Sequence, residues 1–377
     1  MKRTHSLAAL FLCIALVLSG CASEKDEALP VSAEPEICTG EGTFSDAGSL
    51  TSAQQQIILD YENAYFTSIG SFDIQMPEKL FCGETEKDVE KAIWNSTIAV
   101  RKAALEDLRL KSYTFKLTVT DTVETESGVN VTLTEENTQQ FRGLSVLSEQ
   151  YEVIHGFSLK ENDDGTFSIE EHECDSGAFY DFEYDAETKT DKNLEEVLKY
   201  IEIRHSAYKT AVSGDTPECD HAYDRDAAVE YMLNWVGKRN SEWADYSDSG
   251  GNCMNLASQV LYTAGIPMDS EWYWDDGDVS PAWCNVVYFY DYAVSQKGNL
   301  VCDASASYYT GEPGDLLIMG VSTFTRHATE ICSLVKDENG NTVDYLICSN
   351  TADLKNFPAG AYYLTNQQVI RIFGWND

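Results

Sequence analysis

From Tyr113 to Ile169 the apolar residues fall on every second position, and this run limits the fold more than any other feature of the chain. Tyr113, Phe115, Leu117 and Val119 alternate with polar residues; so do Val129, Val131 and Leu133, and then Tyr151, Val153, His155, Phe157 and Leu159. A period of two lines one face of a strand, so these runs predict an antiparallel meander with one buried face. Asn162-Asp163-Asp164-Gly165 supplies a turn into Thr166-Phe167-Ser168-Ile169. Two helical periods precede the strands. Ser52 with Gln55 predicts a capping box, with Ile58, Tyr61, Tyr65 and Ile69 on one face behind it. Thr85 opens a second helix with Val89, Ile93, Val100, Ala104 and Leu108 inward. His155 shares the inward face and is expected as a core histidine. In Glu171-His172-Glu173-Cys174 neighbouring side chains point to opposite faces, so a solvated segment is expected rather than a metal site.

The predicted class is α+β. Helices followed by a curved antiparallel sheet resemble the cone-shaped architecture of the polyketide-cyclase-like and nuclear-transport-factor-like group. Domain organisation follows from composition. Lys2 and Arg3 precede an apolar run from Ser6 to Leu18, too short to span a bilayer, and the run ends in Leu18-Ser19-Gly20-Cys21. That box resembles the cleavage site of bacterial lipoproteins, which implies an acylated Cys21, a membrane-anchored chain on the extracellular face and removal of residues 1–20. Residues 21–50 are rich in Glu, Ser, Ala and Pro and predict a disordered tether. Residues 51–174 form the cone-like part, 175–217 a connector with a helix marked by Leu194, Val197, Leu198 and Ile201, and 218–377 a second α+β domain.

The formal net charge of -37 argues against nucleic acid, which needs a basic surface. Beyond Cys13 and Cys21 nine cysteines remain, an odd number, and none forms a Cys-x-x-Cys pair. Cys332 and Cys348 sit in strand-like runs and read as small core residues. Cys38 and Cys82 are open to pairing. No metal or organic cofactor is implied.

The chemistry is concentrated after Tyr223. Asp224 or Asp226 caps a helix with Ala228, Val229, Met232 and Trp235 on its apolar stripe, expected to end near Lys238, Arg239 and Asn240. Ser249-Gly250-Gly251-Asn252-Cys253 then delivers a cysteine to the first turn of a helix that Gly265-Ile266-Pro267 stops. A helix N-terminus favours thiolate over thiol, so Cys253 is expected to have a lowered pKa. Free N–H groups at that turn suit an oxyanion, with Tyr246 and Ser247 as candidates for a second donor. Pro313-Gly314-Asp315-Leu316 reads as a turn into a strand, and Arg326-His327-Ala328 as the start of the next. His327 is the sole histidine after Cys253. Tyr345-Leu346-Ile347-Cys348-Ser349-Asn350 is a third strand with a polar end. Side-by-side antiparallel strands would bring His327 and Asn350 to Cys253 as nucleophile, base and orienting amide, with Asn356, Asp344 and Asp353 as alternatives to Asn350. Asp248-Ser249-Gly250-Gly251 resembles part of a serine-protease signature, but His205 and His221 lie in unsuitable contexts, so Ser249 belongs to the turn.

Tyr223-Asp224-Arg225-Asp226-Ala227-Ala228, Trp235, Arg239-Asn240, Gly250-Gly251-Asn252-Cys253 and Asn255-x-x-Ser258-Gln259, with Trp283, Phe289 and Tyr290, resemble the putative amidase domain of Gram-positive bacteria. That family is similar to papain-like wall peptidases and amidases, which share the Gly-Asp-Leu strand entry. The resemblance implies catalytic Cys253, His327 and Asn350, hydrolysis of an amide or peptide bond through an acyl-cysteine, and cell-wall peptide as substrate and partner. Asn252 stands where members commonly carry Asp. Asn255 and Gln259 are expected as helix-surface or loop-anchoring groups rather than as reactants. Two other readings are a non-catalytic module that binds wall fragments or a partner protein, and transglutaminase-like acyl transfer, which would promote Asp344 or Asp353.

Overall fold

The computed structural model describes residues 37–179, 182–211, 214, 216–249, 251–275, 277–320, 327–362 and 367–377. Cys21 and its apolar run lie outside the described residues. No described helix is long and apolar enough to cross a membrane.

The chain opens with β1 (Thr39–Asp46), α1 (Ser52–Ser71) and α2 (Glu84–Ala103), then the meander β2 (Leu110–Glu124), β3 (Gly128–Phe141), β4 (Ser148–Glu161) and β5 (Phe167–Cys174). A short ribbon, β6 (Tyr184–Asp185) and β7 (Thr190–Asp191), leads to α3 (Leu194–Ser206) and β8 (His221–Ala222). Next come α4 (Arg225–Trp235), α5 (Cys253–Thr263), a ribbon of β9 (Trp274–Asp275) and β10 (Asp278–Val279), α6 (Pro281–Cys284) and α7 (Val286–Ser295). The last strands are β11 (Leu300–Ala306), β12 (Leu316–Met319), β13 (His327–Lys336), β14 (Thr342–Ser349), β15 (Asp353–Pro358) and β16 (Gln368–Trp375). The fold is α+β, as the periods predict.

One mostly antiparallel sheet runs through the molecule in the order β1-β2-β3-β4-β15-β14-β13-β12-β16-β11, with β5 on β4 and β8 on β16. Tyr151 and Gln150 of β4 pair with Asp353 and Leu354 of β15, so the strands of the N-terminal meander and of the C-terminal half form adjoining parts of a single sheet. Two segments pack differently from the sequence expectation. Residues 39–46, expected in the tether, form β1 and pair in parallel with β2, because α1 and α2 provide the long crossover that a parallel pair needs. Gly40 and Gly42 fit there because the rings of Tyr113 and Phe115 occupy the space a side chain would take; a Cβ on Gly42 would lie 1.9 Å from the Phe115 ring. The segment expected to be solvated also differs. Glu171 and Glu173 are exposed, but the ring of His172 is buried between Tyr61 and Phe157.

Aromatic packing closes the N-terminal core. Phe66 of α1 stacks on Tyr113 and Phe115 at 5.0 and 5.7 Å, and Tyr61 meets Phe157 edge-on at 5.3 Å. The capping box is one residue earlier than the pattern suggested. Thr51 Oγ1 accepts from Gln54 N, and Gln54 Oε1 accepts from Thr51 N at 2.8 Å. Gln55 instead donates to Leu50 O. Cys38 is buried and Cys82 exposed, and neither is paired.

Candidate functional site

Helix α5 begins at Cys253 because the chain before it cannot be helical. Gly251 has φ +112°, and Asn252 sits at φ −113°, ψ 7°. Asn252 Oδ1 accepts from Tyr246 N at 3.2 Å and from Asn255 Nδ2 at 2.8 Å. Asn255 also donates to Ala244 O and accepts from Trp283 Nε1. Ser258 accepts from Trp272 Nε1 and donates to Trp283 O, and Gln259 accepts from Tyr231 OH. The polar residues around the cysteine therefore hold the loops that frame it, as expected for Asn255 and Gln259. A Cβ on Gly251 would lie 3.2 Å from Thr351 and force a backbone that L-residues avoid. Gly251→Ala is expected to cost about 1–3 kcal/mol, read as a lowered denaturant midpoint.

The strand entry is equally well tied. Asp315 Oδ1 accepts from Arg225 Nη1 at 2.9 Å and from Ile372 N at 2.8 Å, and Oδ2 accepts from Glu312 N. Gly314, at φ +90°, receives the Tyr223 hydroxyl on its carbonyl. Asp224 is the cap of α4, accepting from Ala227 N. The helix ends at Trp235, earlier than expected, because Val236 is extended.

Cys253 is buried, with its sulfur beside the backbone N–H of Ala328 and within electrostatic reach of Glu330. Burial pushes the thiol up to about 11, against the downward pull of the backbone N–H groups of Ala328, Met254 and Cys253. The expected lowering is therefore overturned: desolvation outweighs the helix terminus. His327, the first residue of β13, is also buried, and burial pushes its imidazole down to about 4. Its ring stacks on Tyr362 and its Nε2 lies 3.2 Å from Ser349 Oγ. Because that hydroxyl donates to Ala352 O at 3.0 Å, it accepts from Nε2–H, which leaves the imidazole lone pair on Nδ1.

Asn350 does not orient the histidine. Its Oδ1 accepts from Gly237 N and its Nδ2 donates to Lys238 O, both at 3.2 Å, so it pins the turn after α4. Ser349 and Asn350 are adjacent at the end of β14 and face opposite sides; parity gives the histidine the serine. The alternatives are engaged elsewhere. Asp344 binds Tyr308 OH and Gly360 N, Asp353 pairs with Arg239, and Asn356 Oδ1 accepts from Cys332 Sγ. The amides of Tyr246 and Ser247, expected as oxyanion donors, are taken by Asn252 and Asp245. Ser249 closes a turn through its N–H to Tyr246 O.

His327 opens β13 with its ring engaged by Ser349 and Tyr362. Among the described residues no hydrogen bond joins Cys253 to His327. Two site residues escaped the sequence reading. Ser349 was visible only as part of a polar strand end. Glu330 is fully buried with neither oxygen hydrogen-bonded, and burial pushes its carboxyl well above the usual carboxylate range, with the Cys348 thiol adding to the effect. Its signal was present as one acid inside the run Ala328 to Cys332.

In the C-terminal half a buried thiol at a helix start packs on an antiparallel sheet. Residues 222–373 match the family model of the putative amidase domain. No curated protein and no solved structure matches the chain.

Proposed function

We propose that the chain hydrolyses an amide or peptide bond of cell-wall peptide through Cys253, on the outer face of a membrane to which a lipid on Cys21 tethers it. The observation that carries this reading is the position of Cys253: first residue of α5, inside the matched amidase segment, with the Ala328 N–H against its sulfur. His327 is the sole histidine of residues 222–373 and takes the thiol proton as the sulfur attacks the carbonyl carbon. The carbonyl oxygen carries the developing charge toward the N–H groups at the start of α5. The amine departs with the proton, and water then attacks the thioester to release the acid and the thiol. With the thiol at about 11 and the imidazole at about 4, the uncharged pair is the form present before substrate binds. Proton transfer then accompanies attack rather than preceding it, and Nδ1, the nitrogen not engaged by Ser349, takes the proton.

The test is incubation with purified wall stem peptides in the presence of an added primary amine, with products identified by mass spectrometry. New acid and amine termini are expected. Amine-capped products instead would assign acyl transfer, and retained binding without cleavage would assign the non-catalytic module. For the tether, Cys21→Ser is expected to move the chain from the membrane fraction to the medium; an unchanged distribution would remove the lipid from the account.

A further inference from the structure

A second polar cluster lies far from Cys253 in the chain, between α1 and the meander. Glu62, Glu135 and His155 are all more than nine-tenths buried, and one donor atom from each lies within 4.8 Å of the others. Glu62 Oε1, Glu135 Oε2 and His155 Nε2 have no hydrogen-bond partner. These are strong donors buried without use, which is rare where no ligand is bound. The three line a cavity of ≈50 Å³, which is room for an ion and a water or two, and too little for an organic substrate.

We propose that this interior site binds a divalent transition-metal ion, Zn²⁺ in the first instance, through Glu62, Glu135 and His155, with one coordination position open to the cavity. The donor set is one imidazole and two carboxylates, which suits Zn²⁺ at an open site and is poor for Mg²⁺ or Ca²⁺, which want more oxygen donors. The surroundings orient the histidine as a ligand. His155 Nδ1 lies 3.1 Å from His172 Nε2, and His172 Nδ1 lies 2.9 Å from Glu90 Oε1. This relay engages Nδ1, which also lies 3.5 Å from Glu62 Oε1, and leaves Nε2 unpartnered. Glu135 Oε1 is held by Asn137 Nδ2 at 2.7 Å, which fixes that carboxylate while its other oxygen is free. A divalent ion between Glu62 and Glu135 would neutralise both carboxylates. Arg101 lines the same cavity but donates to Gln139 rather than to either glutamate.

The test is calorimetric titration of Zn²⁺ into the purified, chelator-stripped chain, with Co²⁺ substitution read by absorption. One equivalent is expected to bind, at least tenfold more weakly in Glu135→Gln and in His155→Gln, and unchanged in Cys253→Ala. Bound Co²⁺ is expected to show visible ligand-field bands without the near-ultraviolet thiolate charge-transfer band. The cobalt spectrum of the unaltered chain decides the matter even if a variant fails to fold. A thiolate band, or the absence of any cobalt spectrum, would place metal on the cysteines or nowhere and overturn the site. Binding unchanged in both folded variants would do the same.

Discussion

The Cys253→Ala chain is expected to lose amide cleavage by about 10^3-fold or more while keeping its fold. The expectation follows from what the sulfur does and from how little else depends on it. Cys253 is small, and alanine fits the same first turn of α5 with a loss of buried volume on the order of one sulfur atom. The loop before it is held by Asn252, Asn255 and Trp283, none of which uses the thiol. Stability should therefore change by no more than about 1–2 kcal/mol, measured by denaturant unfolding. Activity falls because the thiol is the group that forms the acyl intermediate, and alanine supplies no nucleophile. Product release from stem peptides, followed over time for both chains, checks the ratio. A residual rate within tenfold of the parent would mean that another residue carries the reaction.

The largest effect on stability is expected at Asp315. Asp315→Ala should cost about 3–5 kcal/mol. The carboxylate is completely buried and accepts from Arg225, Ile372 N and Glu312 N, with the Arg371 guanidinium 3.7 Å away. Burial raises the Asp315 carboxyl above its usual value although Arg225 and two backbone N–H groups pull it down. The cluster is thus no free gain over an apolar core, yet removing only its acid leaves Arg225 and the nearly buried Arg371 without that counter-charge and orphans two amides. Both arginines keep Glu312, and so part of their compensation. Urea or guanidinium unfolding of the two chains reads the difference directly. A cost below about 1 kcal/mol would show that the arginines find other partners. The residue thus acts by fixing β12 against β16 and α4 rather than by touching substrate.

These cases show what the sequence could and could not disclose. Local period was enough for β2 to β5, for α1 and α2, and for the helix that starts at Cys253, because those elements bury one face of a regular pattern. It failed where a partner strand decides. Thr39–Asp46 has two glycines and few large side chains, so it reads as tether; only the Tyr113 and Phe115 rings of β2 explain why glycine is the right residue for a strand there. The join of Tyr151 to Asp353 spans two hundred residues and leaves no local trace. At the candidate site, type and spacing pointed to Cys253 and His327, while a one-residue parity at the end of β14 put Ser349 rather than Asn350 beside the histidine. The thiol shift was misjudged for a related reason. A helix N-terminus is legible in sequence, but the burial that outweighs it is a property of the packed sheet.

The central claim is that His327 takes the proton of Cys253, and it is tested most directly by iodoacetamide alkylation of Cys253 against pH, followed by peptide mass spectrometry in the parent and in His327→Ala. A thiol near 11 is deprotonated progressively as pH rises, so the parent rate is expected to climb without a plateau at the usual thiol value of about 8.5. At neutral pH the parent is expected to react at least tenfold faster than His327→Ala, because the imidazole assists proton removal, and the two curves should converge near pH 11, where no base is needed. Superimposable curves at all pH values would contradict the account, since they would mean that the histidine never reaches the sulfur.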